Sequence, residues 1–322
     1  MKEIIFSLPD QIFQALGFVP KTAVPKVKPD LVIGCGMGGS GISSEILGAL
    51  YPAIPVIANK DYPVPGYAGR KTLAIFVSYS GNTEETLNNY RLLAPRAGYR
   101  VILSSGGKLL SKPAELKVKV PGGLPPRGAL GYLFTPLPLV LHRCGMVRTN
   151  PEPELRALAQ FLLMNRASLC REARKISRRL VGKLPVIYSD TRAFSVVANR
   201  WRCQFNENSK IICHTSVIPE MNHNEIVGLG RPQKFNKDIR LIFLHDPETN
   251  PRNLKREKIM KEIIRNDLKN IIDIHPQGGN RIERMFWTIM LGDFVSYYLA
   301  EMTGVDPLPV KRIEYLKKRL KD

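Results

Sequence analysis

Five consecutive apolar residues, Leu73-Ala74-Ile75-Phe76-Val77, run without a polar break into Ser78-Tyr79-Ser80-Gly81-Asn82-Thr83. Such a run reads as a buried strand. Behind the turn, Glu84 to Leu93 spaces its apolar residues for one helix face. The hydroxyl-rich turn therefore joins a strand's C-terminal end to a helix N-terminus, where free N–H groups and the helix dipole favour an anion. Ser78, Ser80 and Thr83 add hydroxyls, and Gly81 adds no bulk, which suits a phosphate monoester. The same residue types are ordinary helix caps, so this turn alone leaves both readings open.

Upstream, Asp30-Leu31-Val32-Ile33 reads as a strand running into Gly34-Cys35-Gly36-Met37-Gly38-Gly39-Ser40-Gly41, with a helical pattern from Ile42 to Leu50. Strand, glycine loop and helix in this order form a phosphate- or nucleotide-binding unit. Gly34, Gly36 and Gly39 satisfy GxGxxG, but a dinucleotide site also requires an acid after the next strand. Only Asp61 follows Pro55-Val56-Ile57-Ala58, and Lys60 precedes it. Two phosphate-type loops on strand ends fit one compact sugar phosphate better, with Gly38 and Gly39 offering N–H groups beside Ser40. The alternation continues with strands at Arg100–Leu103 and Leu116–Val120, then an apolar, partly helical stretch from Gly128 to Cys144. Strands separated by helices imply a parallel sheet covered on both faces, with ligands at the strands' C-terminal edge. Arg127, after the fifth strand, is either a group at that edge or a surface charge.

A chain of 322 residues suits two domains, and the turn composition of Asn150-Pro151-Glu152-Pro153 places the boundary between 1–150 and 151–322. A short helix and a Pro/Lys-rich approach are expected before the first strand. The N-terminus lacks the apolar run of a signal peptide, and Ala129–Leu141 is too short and proline-broken to span a membrane. Five scattered cysteines without CxxC spacing read as reduced thiols of a cytoplasmic protein. The net charge of +20 gathers in Arg166–Lys183, Lys255–Lys269 and Lys311–Lys321, all with helical apolar spacing, so these charges read as solvated faces. No nucleic-acid motif is present, and no specific nucleic-acid partner is expected.

In the second half, Glu154–Leu180 reads as a long helix, Leu184–Tyr188 as a strand and Thr191–Cys203 as a helix, with no second glycine-rich phosphate loop. Two polar runs flanked by apolar residues then read as loops lining a cleft: Gln204-Phe205-Asn206-Glu207-Asn208-Ser209-Lys210 and Pro219-Glu220-Met221-Asn222-His223-Asn224. A carboxylate and an imidazole are what proton transfer α to a carbonyl requires. Glu207 could equally end a helix, and His223 could sit on the surface. His214 and His245 read as structural, and His275 as a loop residue after the strand Ile271–Ile274. No set of His, Cys and acids has metal-ligand spacing, so no metal is expected. Asn280–Glu301 forms an amphipathic helix whose aromatic stripe is core or dimer contact, and a charged helix from Lys311 ends the chain.

Gly36-Met37-Gly38-Gly39-Ser40-Gly41 together with Ser78-Tyr79-Ser80-Gly81-Asn82-Thr83 resembles the sugar isomerase (SIS) domain. More narrowly, the chain resembles the bifunctional phosphoglucose/phosphomannose isomerases over nearly its whole length. The resemblance implies an α/β fold of two SIS domains, each a flavodoxin-like parallel sheet flanked by helices. It implies interconversion of glucose 6-phosphate and mannose 6-phosphate with fructose 6-phosphate through a cis-enediol, without a cofactor. Glu207 of the FNEN motif would be the base, and His223 of P-E-x-x-H-N would open the sugar ring from the partner subunit of a homodimer. Asn222 stands where some relatives have a second histidine. Lys317, in Ile313-Glu314-Tyr315-Leu316-Lys317, would enter the site, Arg127 would offset enediolate charge, and Ser40, Ser78, Ser80 and Thr83 would hold the phosphate. Relatives with dual specificity often carry a threonine two turns before that lysine, where this chain has Val310. A non-catalytic phosphosugar-binding regulator of the SIS type, or another SIS-domain isomerase, would share the loops. The regulator needs a DNA-binding segment ahead of the domain, and the other isomerases would lack the FNEN and C-terminal lysine runs.

Overall fold

The computed structural model describes residues 1–20, 28–268 and 270–320. The Pro/Lys-rich approach falls at 21–27, outside the described residues, as do Lys269 and Lys321 at the ends of two basic runs. The chain forms two compact units: Glu3–Arg166 with Gly278–Phe286, and Met1–Lys2, Ala167–Gln277 and the segment from Trp287 onward.

In the first unit, short helices α1 (Lys2–Phe6) and α2 (Leu8–Ala15) precede β1 (Leu31–Cys35), α3 (Gly38–Leu50), β2 (Val56–Asn59) and β3 (Thr72–Val77). There follow α4 (Glu84–Leu93), β4 (Tyr99–Ser104), α5 (Gly107–Leu110), β5 (Leu116–Lys119), a 3-10 turn at Pro126–Gly128, α6 (Leu130–Phe134) and α7 (Pro136–Arg143). The five strands are parallel in the order β2-β1-β3-β4-β5, the flavodoxin-like arrangement. All six residues of β3 are buried, as its unbroken apolar run requires of a strand with neighbours on both sides. On one face Ile33, Ala74, Phe76 and Ile102 pack with Leu93 and Leu109 of the covering helices. Gln11 ties α2 to the start of α6, donating to the Gly128 carbonyl at 2.8 Å and accepting from the Gly131 N–H at 3.1 Å.

The order reverses between β1 and β3: the chain leaves β1 toward β2 on one side, and leaves β3 toward β4 on the other. Their outgoing loops diverge there and open a crevice at the strands' C-terminal edge.

In the second unit the order is α8 (Glu152–Leu180, whose early turns belong to the first unit), β6 (Leu184–Ser189), α9 (Arg192–Gln204), β7 (His214–Val217), β8 (Ile239–Leu244), α10 (Pro251–Ile264), β9 (Ile271–Ile274), α11 (Arg281–Met302) and α12 (Lys311–Arg319). Its four parallel strands run β7-β6-β8-β9, so a second reversal lies between β6 and β8. Tyr188, Leu241 and Phe243 pack with Ile218, Met221, Met260 and Ile264 on one side of this sheet. Thr191 caps α9 by accepting from the Phe194 N–H, and Asn250 caps α10 by accepting from Arg252, with Pro251 in the first turn. Helix α9 is fastened to α11 by the buried Arg200–Asp293 ion pair and by Trp201 Nε1 donating to the Thr288 carbonyl at 2.8 Å. The aromatic stripe of α11 is core: Phe286, Trp287 and Phe294 are all buried. No helix among the described residues is long and apolar enough to cross a membrane.

Candidate active site

The glycine loop after β1 and the hydroxyl turn after β3 occupy the two sides of the first crevice. Gly38 opens α3 with φ +51°, a backbone conformation that a side chain resists. Gly39 allows a close approach: a Cβ there would stand 2.8 Å from the Pro126 carbonyl oxygen and 3.0 Å from Arg127 Cα. The 3-10 turn carrying Arg127 is thereby laid on the glycine loop. Arg127 is only 4% exposed, so it is no surface charge.

Ser40 is buried, and its Oγ accepts from the Tyr79 N–H at 3.2 Å, joining the two loops. Ser78 is fully buried, with its Oγ 2.9 Å from Thr83 Oγ1 and accepting from the Gly81 N–H at 3.1 Å. Ser80 is exposed, and its Oγ accepts from Asn82 N–H at 3.3 Å. Thr83 is the residue before α4, yet its side chain does not cap that helix. Its hydroxyl engages Ser78 instead, which weighs against the capping reading of the turn.

Tyr79 is a contributor that sequence reasoning passed over. Its hydroxyl donates to the Pro121 carbonyl at 2.8 Å and accepts from the Leu124 N–H at 3.1 Å, while its carbonyl accepts from Ser105 Oγ at 2.6 Å. One buried residue, through its hydroxyl and its backbone carbonyl, thus ties the loops after β3, β4 and β5 together. The available signal was an aromatic between two serines, which in a turn must turn inward or stand bare. Asp61, the acid that a dinucleotide site would need, accepts from the adjacent Tyr62 N–H, and Lys60 pairs with Glu45 at 2.7 Å.

In the second unit, Phe205–Ser209 is a π-helical turn that prolongs α9, where a loop was expected. The cause is anchoring against α11. Asn208 donates to Ser296 Oγ at 2.9 Å, Ser209 donates to the Ser296 carbonyl at 2.7 Å, and the Phe205 ring is buried. One extra residue in the turn leaves Glu207 half-buried between these anchors, consistent with the use of π-turns at functional sites. Lys210 ends the turn in the left-handed region, its ammonium bonded to the Glu207 carbonyl.

Asn206, Glu207 and Lys210 line a cavity of about 530 Å³ with Ile211, Ile212 and the segment 309–313. Val310 is thus brought beside Glu207, a pairing no local pattern announced. His223 lies exposed on the 3-10 turn Glu220–His223. Lys317 lies exposed on α12, as does Lys318. The phosphate-loop residues and Arg127 therefore belong to the first unit, and Glu207, His223 and Lys317 to the second. Among the described residues, one group has metal-ligating geometry: Asp190, His245 and Glu257, at the edge of the second sheet.

Two flavodoxin-like parallel sheets, the first with hydroxyl-bearing loops at its reversal point, define a double-SIS protein. Residues 170–320 match the model of the bacterial phospho-glucose isomerase C-terminal SIS domain. The fold is similar to the C-terminal domain of glucosamine-fructose-6-phosphate aminotransferase from Francisella tularensis, with a TM-score of 0.73 at 15% identity over 94% of this chain and 96% of that one. The chain is 36% identical to a bifunctional phosphoglucose/phosphomannose isomerase of Caldicellulosiruptor bescii over 99% of this chain and 98% of the relative. It is also 36% identical to a namesake from Aquifex aeolicus, over 90% of each. The chain belongs to the bifunctional phosphoglucose/phosphomannose isomerase family.

Proposed function

We propose that this protein interconverts glucose 6-phosphate and mannose 6-phosphate with fructose 6-phosphate through a cis-enediol. The observation that carries the reading is the pairing of the Ser40 loop with the Ser78–Thr83 turn across the first sheet's reversal point, backed by the buried Arg127. Ser40, Ser78, Ser80 and Thr83, with the Gly38 and Gly39 N–H groups, hold the phosphate. Each charge-assisted hydrogen bond contributes about 1.5–3 kcal/mol, binding energy that positions the reacting carbons. Glu207 takes the proton from the carbon next to the carbonyl and returns it to the neighbouring one. Arg127 offsets charge on the enediolate oxygens. His223 and Lys317 move protons at the ring oxygen and at O1. An enediol protonated at C2 from either face yields both epimers.

The assembly in this reading is a homodimer in which His223 serves the partner's site. Helix α12 supports it: no residue of α12 is buried, and Ile313, Tyr315 and Leu316 are 40–67% exposed. A second copy would cover such an apolar surface. The five cysteines, none of them in a disulfide, fit a reducing, cytoplasmic setting.

The test is incubation of the purified protein with fructose 6-phosphate and quantification of both aldose phosphates. The expected result is glucose 6-phosphate formation that falls about 10²- to 10⁴-fold in Glu207→Gln while fructose 6-phosphate still binds. Binding with no turnover by the unaltered protein would overturn the reading in favour of a phosphosugar sensor.

A further inference from the structure

The second sheet has its own reversal point, between β6 and β8, and no glycine-rich loop fills it. The chain places a different chemistry there. Asp190 follows the end of β6, His245 follows the end of β8, and Glu257 comes from the second turn of α10. One ligating atom from each lies within 4.8 Å of the others. His245 Nδ1 stands 3.5 Å from Glu257 Oε2, close to the edge of roughly 3.3–3.5 Å between ligands of a tetrahedral ion held at about 2.0–2.2 Å.

Asp190 is 5% exposed, and neither carboxylate oxygen has a hydrogen-bond partner among the described residues. A buried carboxylate normally escapes the cost of desolvation by pairing. The Thr249 Oγ1 is likewise buried and unpartnered. Glu257 and Asp273 share the Lys261 ammonium, at 2.6 Å from each. The carboxylates of Asp190, Glu257 and Asp273 outnumber the one ammonium of Lys261, a surplus of negative charge that a cation would offset.

The surroundings also orient the imidazole. His245 Nε2 is 2.7 Å from Asp273 Oδ1, which fixes the proton on Nε2 and turns Nδ1 toward Asp190 and Glu257. A carboxylate behind the histidine is the usual partner of a metal-bound imidazole. The His275 ring stacks on the other side at 4.3 Å, holding the ring plane.

We infer that Asp190, His245 Nδ1 and Glu257 form a binding site for a divalent ion of the zinc class at the reversal point of the second sheet, pinning α10 to the ends of β6 and β8. One nitrogen and two carboxylate oxygens, with no sulfur, match zinc or its cobalt surrogate. The linear spacing of the three residues shows none of this, which is why no metal was expected from the sequence.

The experiment uses the full chain, stripped by chelator and dialysed, then titrated with Zn²⁺ by calorimetry and with Co²⁺ by visible spectroscopy. Expected are saturable binding of a single ion per chain, a rise in Tm, and Co²⁺ d–d bands without a thiolate charge-transfer band. Asp190→Asn and Glu257→Gln each weaken binding more than about tenfold, and Asp273→Asn weakens it roughly 10- to 100-fold. Cys203→Ser leaves binding unchanged. Should Asp190→Asn not fold, Glu257→Gln decides, with circular dichroism checking that it is native. Absence of saturable binding, a thiolate band, or native-like affinity in the folded ligand variants would each overturn the inference.

Discussion

Ser78 Oγ and Thr83 Oγ1 lie 2.9 Å apart, closing the hydroxyl turn after β3 on itself at the first sheet's reversal point. Both hydroxyls are therefore held in place by each other, as the proposed phosphate site requires. Ser78→Ala removes one donor and unties the other. The expected outcome is a KM for fructose 6-phosphate roughly 10- to 150-fold higher, with kcat changed far less, as loss of uniform binding demands. Steady-state kinetics check it, and an unchanged KM would show that the phosphate binds elsewhere.

Gly39 and Arg127 share a contact that admits no side chain. Gly39→Ala would drive a Cβ into the Pro126–Arg127 backbone, which cannot swing aside as a flexible side chain would. The expected result is a stability loss of about 1–3 kcal/mol in urea titration and a fall in kcat as Arg127 is displaced. Native kcat in this variant would mean that Arg127 stands away from the reacting atoms.

Val310 and Glu207 line one cavity. Val310→Thr is nearly isosteric and adds a hydroxyl to the wall of the cavity that Glu207 lines. The product ratio from fructose 6-phosphate is expected to move toward mannose 6-phosphate. Val310 also precedes α12 as its N-cap, where threonine is favoured, so Tm should hold or rise. An unaltered ratio at unaltered stability would remove this position from specificity.

Asp293 accepts from Arg200 Nε and Nη2, at 3.1 and 2.6 Å, and from Gln204 Nε2 at 2.8 Å, all in the buried contact between α9 and α11. Asp293→Ala strands a buried guanidinium. Equilibrium urea unfolding should register a loss of about 3–5 kcal/mol. Because α9 runs directly into the turn bearing Glu207, kcat is expected to fall as well. A loss below 1 kcal/mol would mean that water compensates the arginine.

The local patterns were readable where each residue's role depends on near neighbours. Apolar runs, unbroken through β3 and shorter in β1 and β4 (Val101–Leu103), mark these strands because a parallel strand buried on both faces tolerates little alternation. The glycine and hydroxyl loops were visible because they follow directly on β1 and β3. Glu207 was marked as a candidate, yet its turn was read as a loop. The anchors that make it π-helical, Asn208 and Ser209 against Ser296, span more than eighty residues.

While β7 and β8 of the second sheet went unread, what the sequence determined by itself was thus the five strands of the first unit in order, the glycine and hydroxyl loops that follow β1 and β3, and the family motifs carrying Glu207, His223 and Lys317. These follow from contacts a few residues long, where backbone geometry and side-chain chemistry are fixed locally. The tertiary structure alone decided that Arg127 is buried on Gly39, that Tyr79 ties three loops, and that Val310 faces the cavity of Glu207. It alone gathered Asp190, His245 and Glu257 within one ion's reach. The order of strands in a sheet brings distant residues to one edge, and that order is set by how crossover helices pack on its two faces, which no short window of the chain contains.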